Sequence, residues 1–210
     1  MENARGELAV ISGFSGVGKG TAVKQLLQAY PDYVLSVSAT TRDMRPGEIP
    51  GVSYHYITNQ AFEERIARGE FLEWARYVDH YYGTPAPWVM DNLSAGRSVI
   101  LEIEAEGAFQ VKRQYPEALL IFMLPPSMKV LEERLIGRGT EAAEVIQKRL
   151  KKAAGEELER AREYDFLIVN DDLNTCVAQL HRLIQTRQGV KPAETDLLDR
   201  LAAEAKEWNP

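Results

Sequence analysis

The stretch Leu8-Ala9-Val10-Ile11-Ser12-Gly13-Phe14-Ser15-Gly16-Val17-Gly18-Lys19-Gly20-Thr21 decides the fold of this chain. Leu8–Ser12 is short, branched and almost wholly apolar, as a strand covered on both faces should be. It runs straight into a glycine-rich turn, and Thr21–Ala29 then has the composition of a helix. Strand, glycine-rich turn, lysine, helix is the context that a phosphate-binding loop requires. The glycines let backbone N–H groups converge on phosphate oxygens, Lys19 adds a point charge, and the helix N-terminus adds its partial positive charge. Gly13, Ser15, Gly16, Val17, Gly18, Lys19, Gly20 and Thr21 are therefore the candidate binders of a nucleotide's phosphates. Gly20 stands where such loops usually place the Ser or Thr that ligates magnesium. Thr21 sits one step, about 100°, further round the helix, so its hydroxyl is no simple substitute.

Outward from this loop, short apolar runs alternate with amphipathic stretches, the pattern of a parallel sheet with covering helices. Strands are expected at Leu8–Ser12, Val34–Ser38, Val99–Ile103, Leu119–Leu124 and Phe166–Val169. Helices are expected at Thr21–Ala29, Gln60–Arg68, Gln110–Tyr115, Met128–Ile136, Glu141–Arg162 and Leu173–Thr186. The rhythm breaks between Thr40 and about Ala95, where Pro46, Pro50, Pro85 and Pro87 mingle with alternating aromatics such as Tyr54-His55-Tyr56. That segment reads as a small mixed insertion built on short antiparallel strands. Gly137-Arg138-Gly139 separates two helical patterns and marks a hinge. In the tail, Leu198, Leu201, Ala205 and Trp208 recur at helical spacing, with Thr195 as a candidate N-cap. Both core packing and a dimer contact fit that stripe.

Composition narrows the function. The 210 residues carry 25 basic and 31 acidic side chains, a net charge of −6, and 45% are hydrophobic. A chain of that size buries a real core, and its acidity argues against a general nucleic-acid binder. A pocket for a small polyanion needs only local positive charge, so the balance leaves one possible. The longest apolar run, Ala118–Leu124, is far too short to span a membrane, and Met1–Glu7 has no apolar signal core. One cysteine, Cys176, excludes an internal disulfide. A cytoplasmic location is the expectation. His55, His80 and His181 show no metal-ligand spacing.

Beyond the loop, Ser38-Ala39-Thr40-Thr41-Arg42-Asp43-Met44-Arg45-Pro46-Gly47-Glu48 resembles the GMP-binding signature of guanylate kinases. Gly51-Val52-Ser53-Tyr54, Phe71-Leu72-Glu73-Trp74, Tyr81-Tyr82-Gly83-Thr84, Gly137-Arg138-Gly139 and Ile168-Val169-Asn170-Asp171-Asp172 follow in that family's order. The resemblance implies an α/β fold: a P-loop core with a five-stranded parallel sheet flanked by helices, a small mixed GMP-binding insertion, and a helical lid. On this sequence the core covers residues 1–38, 96–128 and 164–188, the insertion 39–95, the lid about 129–163, and a helical extension 189–210.

The resemblance also implies roles, and chemistry can be laid beside each. Guanine offers donors at N1–H and the N2 amine, which Glu73 can accept bidentately, with Ser38 and Thr84 near O6. Adenine presents the opposite pattern there and would leave a buried Glu73 unpaired. Arg42, Arg45 and Tyr54 correspond to the clamp on the acceptor phosphate, and Tyr82, Gly83 and Glu104 to further substrate contacts. Arg134, Arg138 and Arg149 match arginines that close over the ATP phosphates, and with Lys19 form the catalytic set. Asn170 matches a position near the adenine of ATP. Glu102 and Glu104 replace the family's usual aspartates, and Phe14 its usual proline; Glu102 is the candidate ligand of magnesium, in part through water. The implied activity is transfer of the γ-phosphoryl group of ATP to GMP, giving ADP and GDP in purine nucleotide metabolism. ATP and Mg2+ are required, no nucleic acid or membrane is involved, and the form is a monomer or homodimer. Two alternatives stand beside it: a non-catalytic guanylate-kinase-like binding module, and a related kinase with another acceptor.

Overall fold

A computed structural model describes residues 5–137, 139 and 142–207. Arg138, Glu141 and Trp208, all named above, lie outside the described residues. In chain order the elements are β1 (Leu8–Gly13), α1 (Lys19–Ala29), β2 (Tyr33–Leu35), β3 (Ala39–Thr40), β4 (His55–Tyr56), α2 (Asn59–Ala67), β5 (Phe71–Tyr77), β6 (His80–Pro85), α3 (Ala86–Ser94), β7 (Ser98–Glu102), α4 (Ala105–Gln114), β8 (Leu119–Leu124), α5 (Met128–Gly137), α6 (Ala143–Lys152), a π-helical turn (Ala153–Glu157), α7 (Leu158–Ala161), β9 (Phe166–Val169), α8 (Leu173–Thr186) and α9 (Leu197–Glu204).

Five strands form a parallel sheet in the order β2-β7-β1-β8-β9, flanked by helices. All six residues of β1 and all six of β8 are buried, which is why both read as unbroken apolar runs. Tertiary contacts divide the chain into two units. One joins the residues up to Val10 to Tyr30–Ala118; the other joins Ile11–Ala29 to the chain from Leu119 onward.

In the first unit, β2 and β7 pair from Tyr33↔Ser98 to Leu35↔Ile100. The strand expected to reach Ser38 stops at Leu35, because by Ser38 the backbone has changed partner: its carbonyl accepts from the His55 amide at 2.9 Å. A second sheet follows in the order β4-β3-β6-β5. It is mixed, as expected, with one parallel pairing beside the antiparallel ones. The long loop between β3 and β4 returns the chain in the same direction, so Ala39↔His55 and Thr40↔Tyr56 pair in parallel. Beneath it, Phe62 of α2 is fully buried, stacked on Phe71 at 4.3 Å and on Tyr81 at 5.1 Å. Burial of one such ring is worth roughly 1.5–3 kcal/mol. Thr58 caps α2 by accepting from the Ala61 amide. Two proline-flanked features differ from expectation. Pro87 falls in the first turn of α3, where its missing N–H costs nothing, so Ala86–Ser94 is helical. The helix expected from Gln110 already begins at Ala105.

In the second unit, β8 and β9 pair from Ile121↔Phe166 to Leu124↔Val169. The long helix expected to run to Arg162 is interrupted by the π turn. Ile146, Leu150 and Ala153 are buried at α-helical spacing, the turn itself buries Ala153 and Glu157, and Leu158 and Ala161 are buried beyond it. The tail packs on its own unit. Leu198, Leu201 and Ala205 are buried, Asp199 accepts from Arg162 at 2.7 Å, and Glu204 accepts from the Met128 amide at the start of α5. Asp196 is the N-cap residue of α9, while the Thr195 hydroxyl accepts from the Leu197 amide at 3.1 Å. Cys176 is buried in α8, and burial pushes its thiol up to about 11. Among the described residues no helix is long and apolar enough to cross a membrane.

Candidate active site

The glycine-rich loop leaves β1 at Gly13 and enters α1 at Lys19. Gly16 and Gly18 have φ of +93° and +98°, a backbone region that strains other residues. A Cβ at 16 would stand 2.6 Å from Leu135 Cδ2, and one at 18 would stand 2.7 Å from Asn170 Nδ2. Phe14 is fully buried with its ring edge-on to Phe122 at 5.6 Å, so it anchors the loop in the core.

Three cations from separate elements converge on the loop. Lys19 Nζ donates to the Gly13 carbonyl at 2.6 Å and the Phe14 carbonyl at 3.3 Å. Arg134 of α5 donates to the carbonyls of Asn170 at 2.8 Å, Val17 at 3.3 Å and Asp171 at 3.4 Å. Arg149 of α6 donates to the Ser15 hydroxyl. Asn170, buried after β9, donates its amide to the Val17 carbonyl at 2.8 Å. Arg134 and Asn170 thus share one loop carbonyl and brace the loop's backbone. The positive charge gathered here is local, in a chain that is acidic overall. Gly20 and Thr21 are both exposed in the first turn of α1.

In the first unit, the register of β5 against β6 sets Glu73 opposite Thr84. Glu73 is only 6% exposed, and Thr84 Oγ1 donates to its Oε1 at 2.6 Å. Burial pushes this carboxyl above the usual carboxylate range, while hydrogen bonds from the Thr84 hydroxyl and backbone pull the other way. Tyr82, two residues before Thr84 on β6, meets the Tyr54 ring edge-on at 6.0 Å. Over the Tyr54 ring lies the Arg42 guanidinium, 5.3 Å from the ring centre.

Arg42 is held by Glu48 through two parallel bonds, Nη1 to Oε2 at 3.0 Å and Nη2 to Oε1 at 2.7 Å. Glu48 also accepts from the Tyr56 hydroxyl at 2.8 Å and from the Arg45 amide at 2.7 Å. The Arg42 bond, with help from the Arg45 amide, holds Glu48 down at about 2, and Arg42 is raised in turn. Glu48 and Tyr56 were given no role from sequence. A carboxylate three residues from Arg45 and six from Arg42 was the available signal.

Ser38 is half-buried between β2 and β3, Arg45 is exposed in the following loop, and Gly83 is buried on β6. Glu102 is the last residue of β7 and Glu104 is the N-cap residue of α4. The strand ends at Glu102, so the two glutamates do not share one strand face as residues two apart on a strand would, and both are exposed. Among the described residues no group of three or more His, Cys, Asp or Glu is placed to hold a metal ion.

A family model described as guanylate kinase matches residues 5–187. A guanylate kinase of Carboxydothermus hydrogenoformans is 49% identical over 188 residues, covering 90% of this chain and 91% of the relative. One from Trichodesmium erythraeum is 50% identical over 179 residues, covering 85% and 96%. Among solved structures, the crystal structure of guanylate kinase from Anaplasma phagocytophilum superposes with a TM-score of 0.68 at 29% identity, covering 90% of this chain and 89% of that one.

Proposed function

The chain belongs to the guanylate kinase family and transfers a phosphoryl group from ATP to GMP, and we propose the following division of labour among its residues. Glu73 reads guanine, with Ser38 and Thr84 beside the base. Arg42, Arg45 and Tyr54 hold the acceptor phosphate, with Tyr82, Gly83 and Glu104 lining the substrate. The loop Gly13–Thr21 carries the ATP phosphates, Asn170 serves the nucleotide side, and Lys19, Arg134, Arg138 and Arg149 offset the charge of the moving group. In domain terms residues 39–95 are the GMP-binding insertion, about 129–163 the lid, and 189–210 a helical extension.

The observation that carries this reading is the buried Glu73–Thr84 pair. A carboxylate is a costly thing to bury without a cation, and guanine's two adjacent donors are what an acceptor pair of this kind can satisfy. The acceptor phosphate has a second pKa of about 6, so it is largely ionised at pH 7 and needs no strong general base. Rate then comes from alignment and charge. Guanidinium forks suit the three equatorial oxygens of the transferred group, and Lys19 suits a point contact.

The residues fit magnesium in the way triphosphate-bound magnesium is usually held. Such an ion keeps most of its ligands as phosphate oxygens and water and needs only one or two protein oxygens. Glu102 would supply one, directly or through water; Gly20 supplies none. When bound, the ion neutralises charge on the β- and γ-oxygens. A cytoplasmic setting and the absence of nucleic-acid or membrane partners complete the proposal. The burial of Leu198 and Leu201 within their own unit favours a monomer over a homodimer. Replacing Lys19 or Arg149 by Ala tests the catalytic assignment. Turnover should fall by roughly two or more powers of ten with the melting temperature held; near-normal turnover would remove the residue from the set.

A further inference from the structure

Glu73 sits on β5, the edge strand of the mixed sheet. An edge strand leaves a row of backbone N–H and C=O groups without a strand partner, and its position is correspondingly loose. At the residue next to Glu73 that edge is closed by a side chain. Gln110 of α4 accepts from the Trp74 amide through Oε1 at 3.2 Å and donates through Nε2 to the Trp74 carbonyl at 3.0 Å. One primary amide thus reproduces the two bonds that a neighbouring strand would make.

Three residues earlier, on the same face of α4, stands Gly107. A glycine in the first turns of a helix weakens it by roughly 1 kcal/mol relative to alanine, so its presence calls for a steric reason. The reason is Glu73 itself. A Cβ at 107 would lie 2.7 Å from Glu73 Oε2, 3.1 Å from Cδ and 3.3 Å from Cγ. The carboxylate occupies the space that any side chain at 107 would fill. Its other oxygen is fixed by Thr84.

We propose that Gly107 and Gln110 are positioning residues for guanine recognition: Gly107 leaves room for the Glu73 carboxylate, and Gln110 clamps the strand that carries it. This rests on the reading of Glu73 as the guanine-binding carboxylate. A carboxylate that accepts two donors side by side tolerates little displacement, since a shift of about 1 Å in a positioned group costs on the order of 10²-fold. The atoms in the way of a Cβ at 107 belong to the far end of a side chain that can turn aside. The fold therefore accommodates an alanine there, helix propensity improves, and the cost falls on GMP.

The test uses the full chain with Gly107→Ala, Gln110→Met, Glu73→Ala and the Gly107→Ala/Glu73→Ala double variant. Gln110→Met keeps the length and helix propensity of Gln110 while removing both bonds to Trp74. Steady-state rates are measured with GMP and with IMP, whose base lacks the 2-amine, together with KM for ATP and the melting temperature. Glu73→Ala should bring the GMP:IMP ratio of kcat/KM close to one. Gly107→Ala should raise KM for GMP by roughly ten-fold or more and shrink the same ratio, with KM for ATP unchanged and the melting temperature equal or higher. Gln110→Met should shift both in the same direction. In the Glu73→Ala background, Gly107→Ala should do nothing further. A wild-type KM for GMP in Gly107→Ala overturns the assignment, as does a loss that adds in full to that of Glu73→Ala or that comes with a lower melting temperature and a higher KM for ATP. An unchanged Gln110→Met removes Gln110 from it. If Glu73→Ala itself keeps its GMP preference, the reading of Glu73 fails first.

Discussion

Replacing Glu73 with glutamine changes one oxygen to an NH2 group and little else, and the structure sets what that should cost. Glu73 is 6% exposed, and its carboxylate already accepts from Thr84 at 2.6 Å. With glutamine, the amide oxygen can still accept from Thr84 or from one guanine donor, but the NH2 faces a second donor. One charge-assisted bond is lost, worth about 1.5–3 kcal/mol, and a buried donor is left unpaired at about 1–3 kcal/mol more. The total of roughly 3–6 kcal/mol corresponds to a fall of about 10²–10⁴ in kcat/KM for GMP. Stability should move the other way. Burial raises the Glu73 carboxyl, so the free enzyme loses stability as pH climbs from the unfolded-state value through the folded-state value. Glu73→Gln has no such loss, and its melting temperature should equal wild type in acid and exceed it at pH 8. The assay pairs a coupled ADP-release measurement over GMP concentration with thermal unfolding at pH 4.5 and 8. A kcat/KM for GMP within about three-fold of wild type, at an unchanged KM for ATP, would refute the assignment.

Val78 offers a prediction about stability alone. It is the first residue of the two-residue turn between β5 and β6, at φ +56° and 73% exposed. A β-branched residue there pays about 1–2 kcal/mol, against glycine's entropy cost of about 0.5–1, so Val78→Gly should raise the urea midpoint by the equivalent of up to about 1 kcal/mol; a lower midpoint would contradict the strain. Glu48 is held at about 2 by Arg42, so its contribution is present above the usual carboxylate range and drains away as pH falls toward 2. Carboxyl NMR should show that low midpoint, and Glu48→Gln should raise KM for GMP while sparing KM for ATP; a midpoint near 4.5 would dissolve the argument. Leu201 is fully buried in α9, so Leu201→Ala should cost about 2–4 kcal/mol in chemical unfolding. A loss under about 1 kcal/mol would mean that the tail is not part of the core.

What could be read from the sequence was what is encoded locally. The loop Gly13–Thr21 has its glycines, lysine and flanking elements within one short stretch, and β1 and β8 announce themselves as unbroken apolar runs. Helix α3 was hidden because prolines at 85 and 87 mark a helix start as readily as a loop. The π turn was hidden because Ala153–Glu157 holds no residue that stops a helix outright. Glu73, Arg134 and Arg149 acquired roles through family resemblance; by pattern alone each reads as a solvated charge. Glu48, Gln110 and Gly107 carried no such mark. Their significance lies in which backbone amide, guanidinium or carboxylate stands across from them, and chain order does not encode that.

The central claim is that this chain moves phosphate from ATP to GMP and selects guanine through Glu73. The most direct measurement is ADP release by the purified chain with ATP and magnesium, offering GMP, AMP, CMP, UMP and dTMP in turn. Rapid release with GMP and none above background with the others is the predicted result. Comparable turnover with AMP, or none with GMP, would contradict it.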